Sequence, residues 1–441
     1  MADRRSAIPN TVLRQVREDE FQMSRMEFAA AVRKTGEGMG ESVGCLARLV
    51  AAWEDGEVGC PRGVYRRILT RMTGRTMAGL GFRTGPALSV VPAAAAANEP
   101  REEGESVERR GFLLDGAGIV LGLPFGTDEK ALGKIGVTQV RAVTKAVATL
   151  YEKDHDHGSA AVRQAASQAL HTAYQWLQNG TYSTKTEGKL RSAVGALSIA
   201  AGWLSYDSGR PGDARSLYGE ALAASRIADD RELEAHAFGC LSLLAKAQGR
   251  PREAVAAAQG AQTVARSLGS PRLLALCHMR EAGGWALAGD ASATDRAIVK
   301  AHHLYAKGPS DADPAWLDFF APGELAGLES LARADLGQHE RAAAGAEQAV
   351  LLHGGAFARN SALYTADIAI QHAVRDKPEP EAAAEAAGKV LAYLPEVRSD
   401  RLLQSLHDVA GALQRHNRVP VVASWIEEYR STITATGGGR A

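Results

Sequence analysis

The sequence has no excess of charge of either sign, because 51 basic residues balance 51 acidic ones. This balance excludes a globally basic nucleic-acid-binding surface or a polybasic membrane surface, so any contact with nucleic acid must be local. Aromatic residues are also few, at 6% of a chain that is 45% hydrophobic, and alanine and leucine supply much of the apolar remainder. Alanine has the highest helix propensity and lets helices approach closely, so the composition favours an all-α fold.

Cysteine is scarce as well. The four cysteines, Cys45, Cys60, Cys240 and Cys277, form no C-x-x-C pair and no disulfide-framework spacing. Their pattern excludes a small secreted fold held together by disulfides and predicts reduced thiols. No apolar stretch follows the charged start MADRR, so no signal peptide is expected. We therefore expect a cytoplasmic protein.

Long hydrophobic runs are missing too, apart from one internal segment. Arg109 and Arg110 precede an apolar run of about 14 residues that ends near Phe125, a pattern that resembles a twin-arginine export signal. The run contains Asp115 and several glycines, and it is shorter than the roughly 20 residues that span a bilayer. The pattern favours a buried docking segment over an exported or membrane-anchored protein, and no membrane partner is expected.

Composition divides the 441 residues into four parts. Residues 1–83 mix charged and apolar residues at helical spacing and are expected to form a first domain. Residues 84–110 are rich in proline, alanine and charge without periodicity, which predicts a flexible linker. Residues 111–433 are alanine-rich with helical periodicity, and residues 434–441, TATGGGRA, predict a disordered tail.

The large C-terminal region contains an internal repeat. The tripeptide Gly-Arg-Pro at residues 209–211 recurs 40 residues later at residues 249–251. The register continues to Gly289, then to Gly337 after eight additional residues, and then to Lys377. A glycine can end one helix in the left-handed conformation, and a proline shortly after it can open the next helix. These marker residues therefore predict a series of helix pairs.

Residues suited to close helix packing recur five, nine and twelve positions after each marker, until the pattern fails at its last position. They are Ala214, Tyr218 and Ala221; Ala254, Ala258 and Ala261; Thr294, Ile298 and Ala301; Ala342, Ala346 and Ala349; and Ala382, Ala386 and Lys389. Small residues also precede four markers by seven positions, at Gly202, Ser242, Ala282 and Ser330. We expect these positions to form the contact between the two helices of each pair.

This pattern resembles the tetratricopeptide repeat, whose glycine, alanine, bulky residue and alanine have the same offsets. The period of 40 exceeds the usual 34 of that repeat, so HEAT-like pairing and a generic α-bundle are the alternatives. Helix pairs at 136–153 with 158–178 and at 398–415 with 419–433 are expected to be atypical terminal units, with Trp425 in the closing core. The resemblance implies an α-solenoid.

The N-terminal domain shows four short helical patterns. Ser24 is a suitable N-cap for the second helix, and Glu27 completes a capping box. The segments around Met23–Ala29, Trp53–Gly56 and Pro61 resemble the lambda-repressor-type (XRE) helix-turn-helix of actinobacterial regulators. That resemblance implies that the second and third helices form the motif and that the third helix enters the major groove of DNA.

Carried over position by position, the resemblance implies specific DNA contacts. Ala47, Arg48 and Ala52 would face the groove, Ser24 and Arg25 would contact phosphates, and Val50 and Trp53 would turn to the core. Six arginines and no acidic residue occur between Pro61 and Arg83, and among them Arg66 and Arg67 are predicted phosphate contacts. Arg48 is the single long polar side chain of the third helix. Direct recognition of a base sequence usually needs two or three polar side chains that hydrogen-bond to base edges.

Catalytic and metal-binding patterns are not found in the sequence, and neither an enzyme nor a cofactor is expected. The alternating run Asp154-His155-Asp156-His157 is interpreted as a loop facing water and not as a metal site. His302 and His303 are adjacent in a predicted helix and therefore do not share a face. Phosphate-binding, zinc-protease and serine-hydrolase motifs do not occur.

The sequence as a whole predicts a transcriptional regulator that binds double-stranded DNA as a homodimer. Its repeats are expected to bind a peptide, a small molecule or a partner protein on a concave face, with Tyr206, His278, Glu281 and Trp285 as candidate contacts. The layout resembles that of peptide-pheromone receptors of Gram-positive bacteria, which join a helix-turn-helix to tetratricopeptide repeats. The alternative is an interaction scaffold whose helix-turn-helix-like domain no longer reads DNA.

Overall fold

The computed structural model describes residues 9–39, 43–45, 47–56, 58, 61, 63–82, 134–157, 162–353, 357–395, 397 and 399–437. Within these residues every regular element is a helix, which confirms the predicted all-α class. The chain divides into two compact units, Met1–Phe112 and Leu113–Ala441. The predicted linker and the segment from Arg109 to Phe125 lie outside the described residues.

Over the part that the structure describes, the N-terminal unit contains four α-helices and a short 3₁₀ turn at Ala78–Leu80. The α-helices are α1 (Thr11–Gln15, continued by a π-helical turn over Val16–Glu20), α2 (Arg25–Gly38), α3 (Ala47–Glu54) and α4 (Gly63–Thr73). Their apolar faces meet in one core, whose fully buried members include Leu13, Phe28, Trp53 and Ile68. The spacing of these residues at helical intervals is what directs the four helices towards a common centre.

The start of α2 has the predicted cap. The Ser24 side chain accepts a hydrogen bond from the backbone N–H of Glu27, while the Glu27 carboxylate accepts one from the backbone N–H of Ser24. Two backbone donors that the first helical turn leaves unsatisfied are thereby paired. The capping box read from the sequence is confirmed.

The C-terminal unit consists of fourteen α-helices among its described residues. They are α5 (Val137–His157), α6 (Arg163–Asn179), α7 (Thr184–Asp207), α8 (Pro211–Ala228), α9 (Arg231–Ala247), α10 (Pro251–Ala265), α11 (Pro271–Leu287), α12 (Ala291–Tyr305), α13 (Pro322–Asp335), α14 (His339–His353), α15 (Ala358–Val374), α16 (Pro380–Tyr393), α17 (Asp400–Leu413) and α18 (Pro420–Gly437). Each helix packs against the next from α5 to α12 and again from α13 to α18. The last helix includes Gly437 and so extends into the segment predicted as a tail.

Four of the five markers have the predicted backbone conformation. Gly209, Gly249, Gly289 and Gly337 have φ angles of 68°, 69°, 78° and 69°, which is the left-handed region where a glycine has no steric penalty. Each follows the end of one helix and precedes the start of the next, so the predicted helix boundaries at these markers are confirmed.

The register predicted for the last repeat is wrong by one residue. Lys377 is not a left-handed cap, and the positions counted from it include the exposed Lys389. The fully buried residues of α16 are Ala383, Ala387 and Val390, each one position later than predicted. Helix α16 begins at Pro380, three positions after Lys377, whereas the helices after the glycine markers begin two positions after them. No glycine ends α15 sharply, and the connection to α16 is correspondingly longer.

Close packing between paired helices explains the small residues. All the positions predicted in the first four repeats are at most 3% exposed. A β-carbon placed on Gly202 of α7 would lie 2.5 Å from the ring of Tyr218 on α8, a distance that real β-carbons do not reach. The glycine thus makes room for the one aromatic ring at these contact positions.

Replacing Gly202 by alanine is expected to destabilise the C-terminal unit by about 1–2 kcal/mol, because overpacking costs more than the gain in helix propensity returns. Gly188 on the same helix is the matched control, since a β-carbon there meets nothing within 4 Å. Gly188→Ala should be neutral or slightly stabilising. Urea unfolding of both variants measures the difference, and equal midpoints would contradict the packing explanation.

The eight additional residues before Gly337 belong to a connection between α12 and α13 that has its own structure. It contains a 3₁₀ turn, Ala315–Phe319, with Leu317 and Phe320 buried in the core. The ring of Trp316 stacks on the ring of His236 from α9 at a centroid distance of 3.6 Å. The insertion therefore packs onto the helices that precede it in the chain.

The terminal helix pairs were also predicted, with small differences in their bounds. Helices α5 and α6 replace the predicted 136–153 and 158–178, and α17 and α18 replace 398–415 and 419–433. Trp425 is 4% exposed and packs in the core formed by α15 to α18, as expected of a residue that closes the last unit. An apolar end of the helical stack is covered in this way.

Candidate functional site

Helix α3 divides into two faces as the sequence predicts. Val50 and Trp53 are buried, whereas Arg48 is exposed and Ala47 and Ala52 are half-buried. Arg48 is therefore on a different side of the helix from Val50 and Trp53, while Ala47 and Ala52 are only partly exposed. The DNA contacts themselves stay predictions.

A buried carboxylate at the end of α3 organises the surrounding charges. Glu54 is completely buried, and it accepts hydrogen bonds from Nε of Arg17 at 2.5 Å and from Nε of Arg25 at 2.7 Å. Arg17 is itself 5% exposed and also donates to the backbone carbonyl of Met23. Through Arg17, Glu54 joins α3 to the π-helical turn that continues α1. Through Arg25, it joins α3 to the first residue of α2.

Sequence reasoning noticed Glu54 as part of the tryptophan-containing segment but missed this role. Burial alone would raise the pKa of Glu54, but the hydrogen bonds from Arg17 and Arg25 hold it below its usual value. The carboxylate is therefore ionised and neutralises arginines that would otherwise be costly to bury.

The pH dependence of the N-terminal unit follows from this lowered pKa. The stabilisation is complete above the ordinary glutamate pKa of about 4.3 and is lost as the pH falls through the lower value of the folded state. Hydrogen-exchange protection of α3 should accordingly decline below about pH 4. A Glu54→Gln variant should show a smaller decline, and an equal decline in both proteins would assign the effect to other groups.

Two predicted phosphate contacts have intramolecular partners. The guanidinium of Arg25 pairs with Glu54 and lies 3.5 Å from Asp55, although the side chain remains 37% exposed. The hydroxyl of Ser24 accepts the capping hydrogen bond at the start of α2. Any phosphate contact by these residues would be made in addition to these interactions.

Arg66 and Arg67, the other two predicted phosphate contacts, lie on α4, which begins shortly after Pro61. Nε of Arg66 donates to the backbone carbonyl of Pro61 at 2.9 Å, which fixes the base of the side chain. Arg67 is half-buried on the same helix. Because α4 contains three arginines and no acidic residue, the helix itself carries net positive charge, which a local contact with nucleic acid would need.

In the C-terminal unit, alternate helices form a continuous layer. Each of α5, α7, α9, α11, α13, α15 and α17 packs against the next one in this series. We call this set the odd-helix layer. It contains the four residues predicted from the sequence as ligand contacts.

Three of these four predicted residues come together around one carboxylate. On α11, His278 Nδ1 lies 3.1 Å from Glu281, and the indole N–H of Trp285 donates to Glu281 at 3.4 Å. The amides of Gln259 and Gln262 on α10 donate to the same carboxylate at 3.0 and 2.7 Å. Burial opposes the charge, but these hydrogen bonds lower the pKa of Glu281 to about 2. The Glu281 carboxylate is thus already satisfied within the protein.

Tyr206, the fourth predicted residue, lies in a different cluster, which we call the clasp. The clasp consists of Asp154, Trp203, Tyr206, Asp207, Arg359 and Arg401, from the first two and last two helices of the odd-helix layer. Arg359 lies 2.7 Å from Asp154 and 3.7 Å from Asp207, and Arg401 lies 3.5 Å from Asp207. The Arg401 guanidinium also stands 4.7 Å from the centre of the Tyr206 ring.

Trp203 completes the clasp. Its indole N–H donates to Asp154 at 3.0 Å, and both guanidinium groups lie over its ring, at 5.3 and 5.6 Å from the centroid. Asp154 and Asp207 are at most 1% exposed, so the attraction is little screened by water. The clasp therefore joins helices that are about 200 residues apart in sequence.

The loop predicted for residues 154–157 is not found. These residues belong to the last turns of α5, and Asp154 faces the clasp instead of water. Among the described residues, no group of three histidine, cysteine, aspartate or glutamate side chains has a geometry that could hold a metal ion. His302 pairs with Glu329 at 2.7 Å.

Two grooves occur at equivalent places in the repeats. One, of about 580 Å³, lies among α12, α13 and α14, and the other, of about 410 Å³, lies among α8, α9 and α10. Their residues at four, seven and eight positions after the marker glycines are Arg341, Ala344 and Gly345 in the first and Glu253, Ala256 and Ala257 in the second. The repetition shows that these grooves arise from the helix-pair geometry.

No family model matches the chain, and no characterised protein is significantly similar to it. Among the described helices, none has both the length and the apolar character required to cross a membrane.

Proposed function

We propose that the chain is a DNA-binding transcriptional regulator of the cytoplasm, in which α2 and α3 form an XRE-type helix-turn-helix. The observation that carries this proposal is the two-faced α3, with Val50 and Trp53 buried and Arg48 exposed. The capped start of α2 and the positive charge of α4 support it, because both serve to position such a domain on phosphates.

The C-terminal unit is proposed to be a tetratricopeptide-like solenoid that binds a peptide, a small molecule or a partner protein and mediates dimerisation. The left-handed marker glycines, the buried contact positions and the contacts between alternate helices support this architecture. Dimerisation would place two N-terminal units, each with low affinity for DNA, on two half-sites and so raise the overall affinity. The proposal includes neither an enzymatic activity nor a cofactor.

A mobility-shift assay with the DNA upstream of the protein's own gene tests the regulator. Arg48→Ala is expected to weaken the specific complex about 5- to 150-fold, since a bidentate contact to guanine contributes about 1–3 kcal/mol. Arg252→Ala, an exposed arginine on α10, is the control and should leave binding unchanged. Light scattering of the complex should give two chains for each operator.

A second candidate function is an interaction scaffold whose N-terminal unit docks to protein. It is favoured by the alanines that surround Arg48 on α3 and by the pairing of Arg25 with Glu54. Binding that is absent, or equal for every DNA sequence, would support the scaffold and contradict the regulator.

A further inference from the structure

The clasp closes the C-terminal unit on itself. The odd-helix layer is continuous from α5 to α17, because each of its helices packs against the next. The clasp then joins α5 to α15 through Asp154 and Arg359, which are 2.7 Å apart, and α7 to α17 through Asp207 and Arg401, which are 3.5 Å apart. The layer is therefore a ring whose two ends meet at the clasp.

Among the residues that the structure describes, no apolar core spans this junction. The core of α5, α6 and α7 and the core of α14 to α18 are separate groups of buried residues with no member in common. Neighbouring helices such as α7 and α8 pack extensively, whereas neither α5 nor α7 packs in this way against α15 or α17. Burial of apolar surface, the main favourable term in helix packing, therefore contributes little to closing the ring.

The four charges of the clasp are each unfavourable in their own helix. Asp154 and Asp207 lie in the last turns of α5 and α7, where the helix dipole is negative. Arg359 and Arg401 are the second residues of α15 and α17, where the helix dipole is positive. One end of the layer is thus negative and the other positive, and the contact between the two ends compensates both arrangements.

Closure leaves several polar atoms without partners. Nε of Arg359 and the hydroxyl groups of Ser208 and Ser361, which are close to the clasp residues in sequence, are buried and make no hydrogen bond among the described residues. A buried polar atom without a partner costs free energy that it recovers in water. Opening of the junction is therefore opposed mainly by a few charge pairs and is favoured by the hydration of these atoms.

We infer that the clasp is a reversible closure of the C-terminal unit: the ring opens and recloses at the clasp while the helices stay folded. A junction with few apolar contacts opens at a lower free energy than the whole unit unfolds. Opening separates the two charged ends and exposes the rings of Trp203 and Tyr206 to water. The inference goes beyond the proposed function, because it requires neither DNA nor a ligand.

A disulfide across the junction tests the closure. A β-carbon placed on Gly209, just after α7, would lie 3.6 Å from the β-carbon of Asp400 at the start of α17. Disulfides join β-carbons that are about 3.5–4.5 Å apart. The full chain with Gly209→Cys and Asp400→Cys is therefore expected to form this bond within one chain on mild oxidation, as identified by mass spectrometry of the linked peptides.

Removal of the clasp arginines should separate the two cysteines. Arg359→Met with Arg401→Met, added to the cysteine pair, should slow disulfide formation by about tenfold or more, while circular dichroism shows unchanged helix content. Arg252→Met with Lys389→Met, which replaces two exposed cations on even-numbered helices, is the control and should leave the rate unchanged. An equal rate with and without the clasp arginines would overturn the inference, and a parent pair that forms no bond would contradict the ring.

Hydrogen exchange tests the opening with the clasp intact. In the reduced cysteine pair, peptides from the end of α7 and the start of α15 should exchange about tenfold faster or more than in the oxidised pair, because the disulfide prevents opening. Peptides from α10 and α11 should exchange equally in both forms. Equal exchange at the junction would overturn the inference, and equal slowing throughout the unit would assign the effect to global stability instead.

Discussion

Replacing Glu54 by glutamine is expected to destabilise the N-terminal unit by about 3–5 kcal/mol, because it leaves buried charge without its counterion. Arg17 is 5% exposed and would lose an ion pair of 2.5 Å, while its remaining contacts hold the guanidinium in place. Arg25 would lose its partner on α3 as well. A small domain has a free energy of unfolding of about 5–15 kcal/mol, so the loss would be a large fraction of the unit's stability.

Hydrogen-exchange protection factors for peptides from α2 and α3 measure this loss in the full chain. Asp55→Asn is the matched control, since Asp55 neighbours Glu54 and contacts Arg14 and Arg25, but its side chain is 48% exposed. Exposed pairs contribute about 0–1 kcal/mol, so the control should change protection little. If both variants lose protection equally, the buried network is not what stabilises the unit.

The same variant bears on function. Glu54 positions Arg25 at the start of α2 and closes α3, so its loss would alter both helices of the proposed motif. DNA binding should fall with stability in Glu54→Gln, whereas in Arg48→Ala it should fall with protection unchanged. The comparison separates a residue that stabilises the proposed DNA-binding domain, Glu54, from a residue proposed to contact DNA, Arg48.

The features that sequence reasoning found are those that depend on neighbours along the chain. The capping box joins Ser24 to Glu27 three residues away, and the left-handed glycine ends α7 and precedes Pro211 by two residues. Such local interactions are encoded in short patterns. Trp425 could be placed in the closing core because a terminal repeat must cover an apolar face.

The features that were missed depend on long-range contacts. Arg17 and Glu54 are 37 residues apart, and Asp154 and Arg359 are 205 residues apart. A single sequence shows no pattern that pairs them, and the charge run beginning at Asp154 was therefore interpreted as a loop. The register at Lys377 was wrong because a proline bend replaces the glycine that marks the other units.

Breaking the clasp is expected to destabilise the C-terminal unit by about 3–5 kcal/mol. Arg359→Met removes the guanidinium that approaches Asp154 at 2.7 Å and Asp207 at 3.7 Å, and it leaves both carboxylates buried with less compensation. The methionine keeps much of the packing on Trp203. Urea unfolding measured by circular dichroism gives the change in the free energy of unfolding.

A double-mutant cycle separates the pair from its surroundings. Asp154→Asn and Arg359→Met together should cost less than the sum of the single variants, with a coupling energy above about 1 kcal/mol. The exposed pair of Glu385 and Lys389 on α16 is the control, because its members are one helical turn apart and should couple by about 0.3–0.5 kcal/mol. A clasp coupling no larger than that of the control would mean that the Asp154–Arg359 ion pair is not what joins α5 to α15. A larger coupling would make this ion pair part of the connection that fixes the ends of the odd-helix layer.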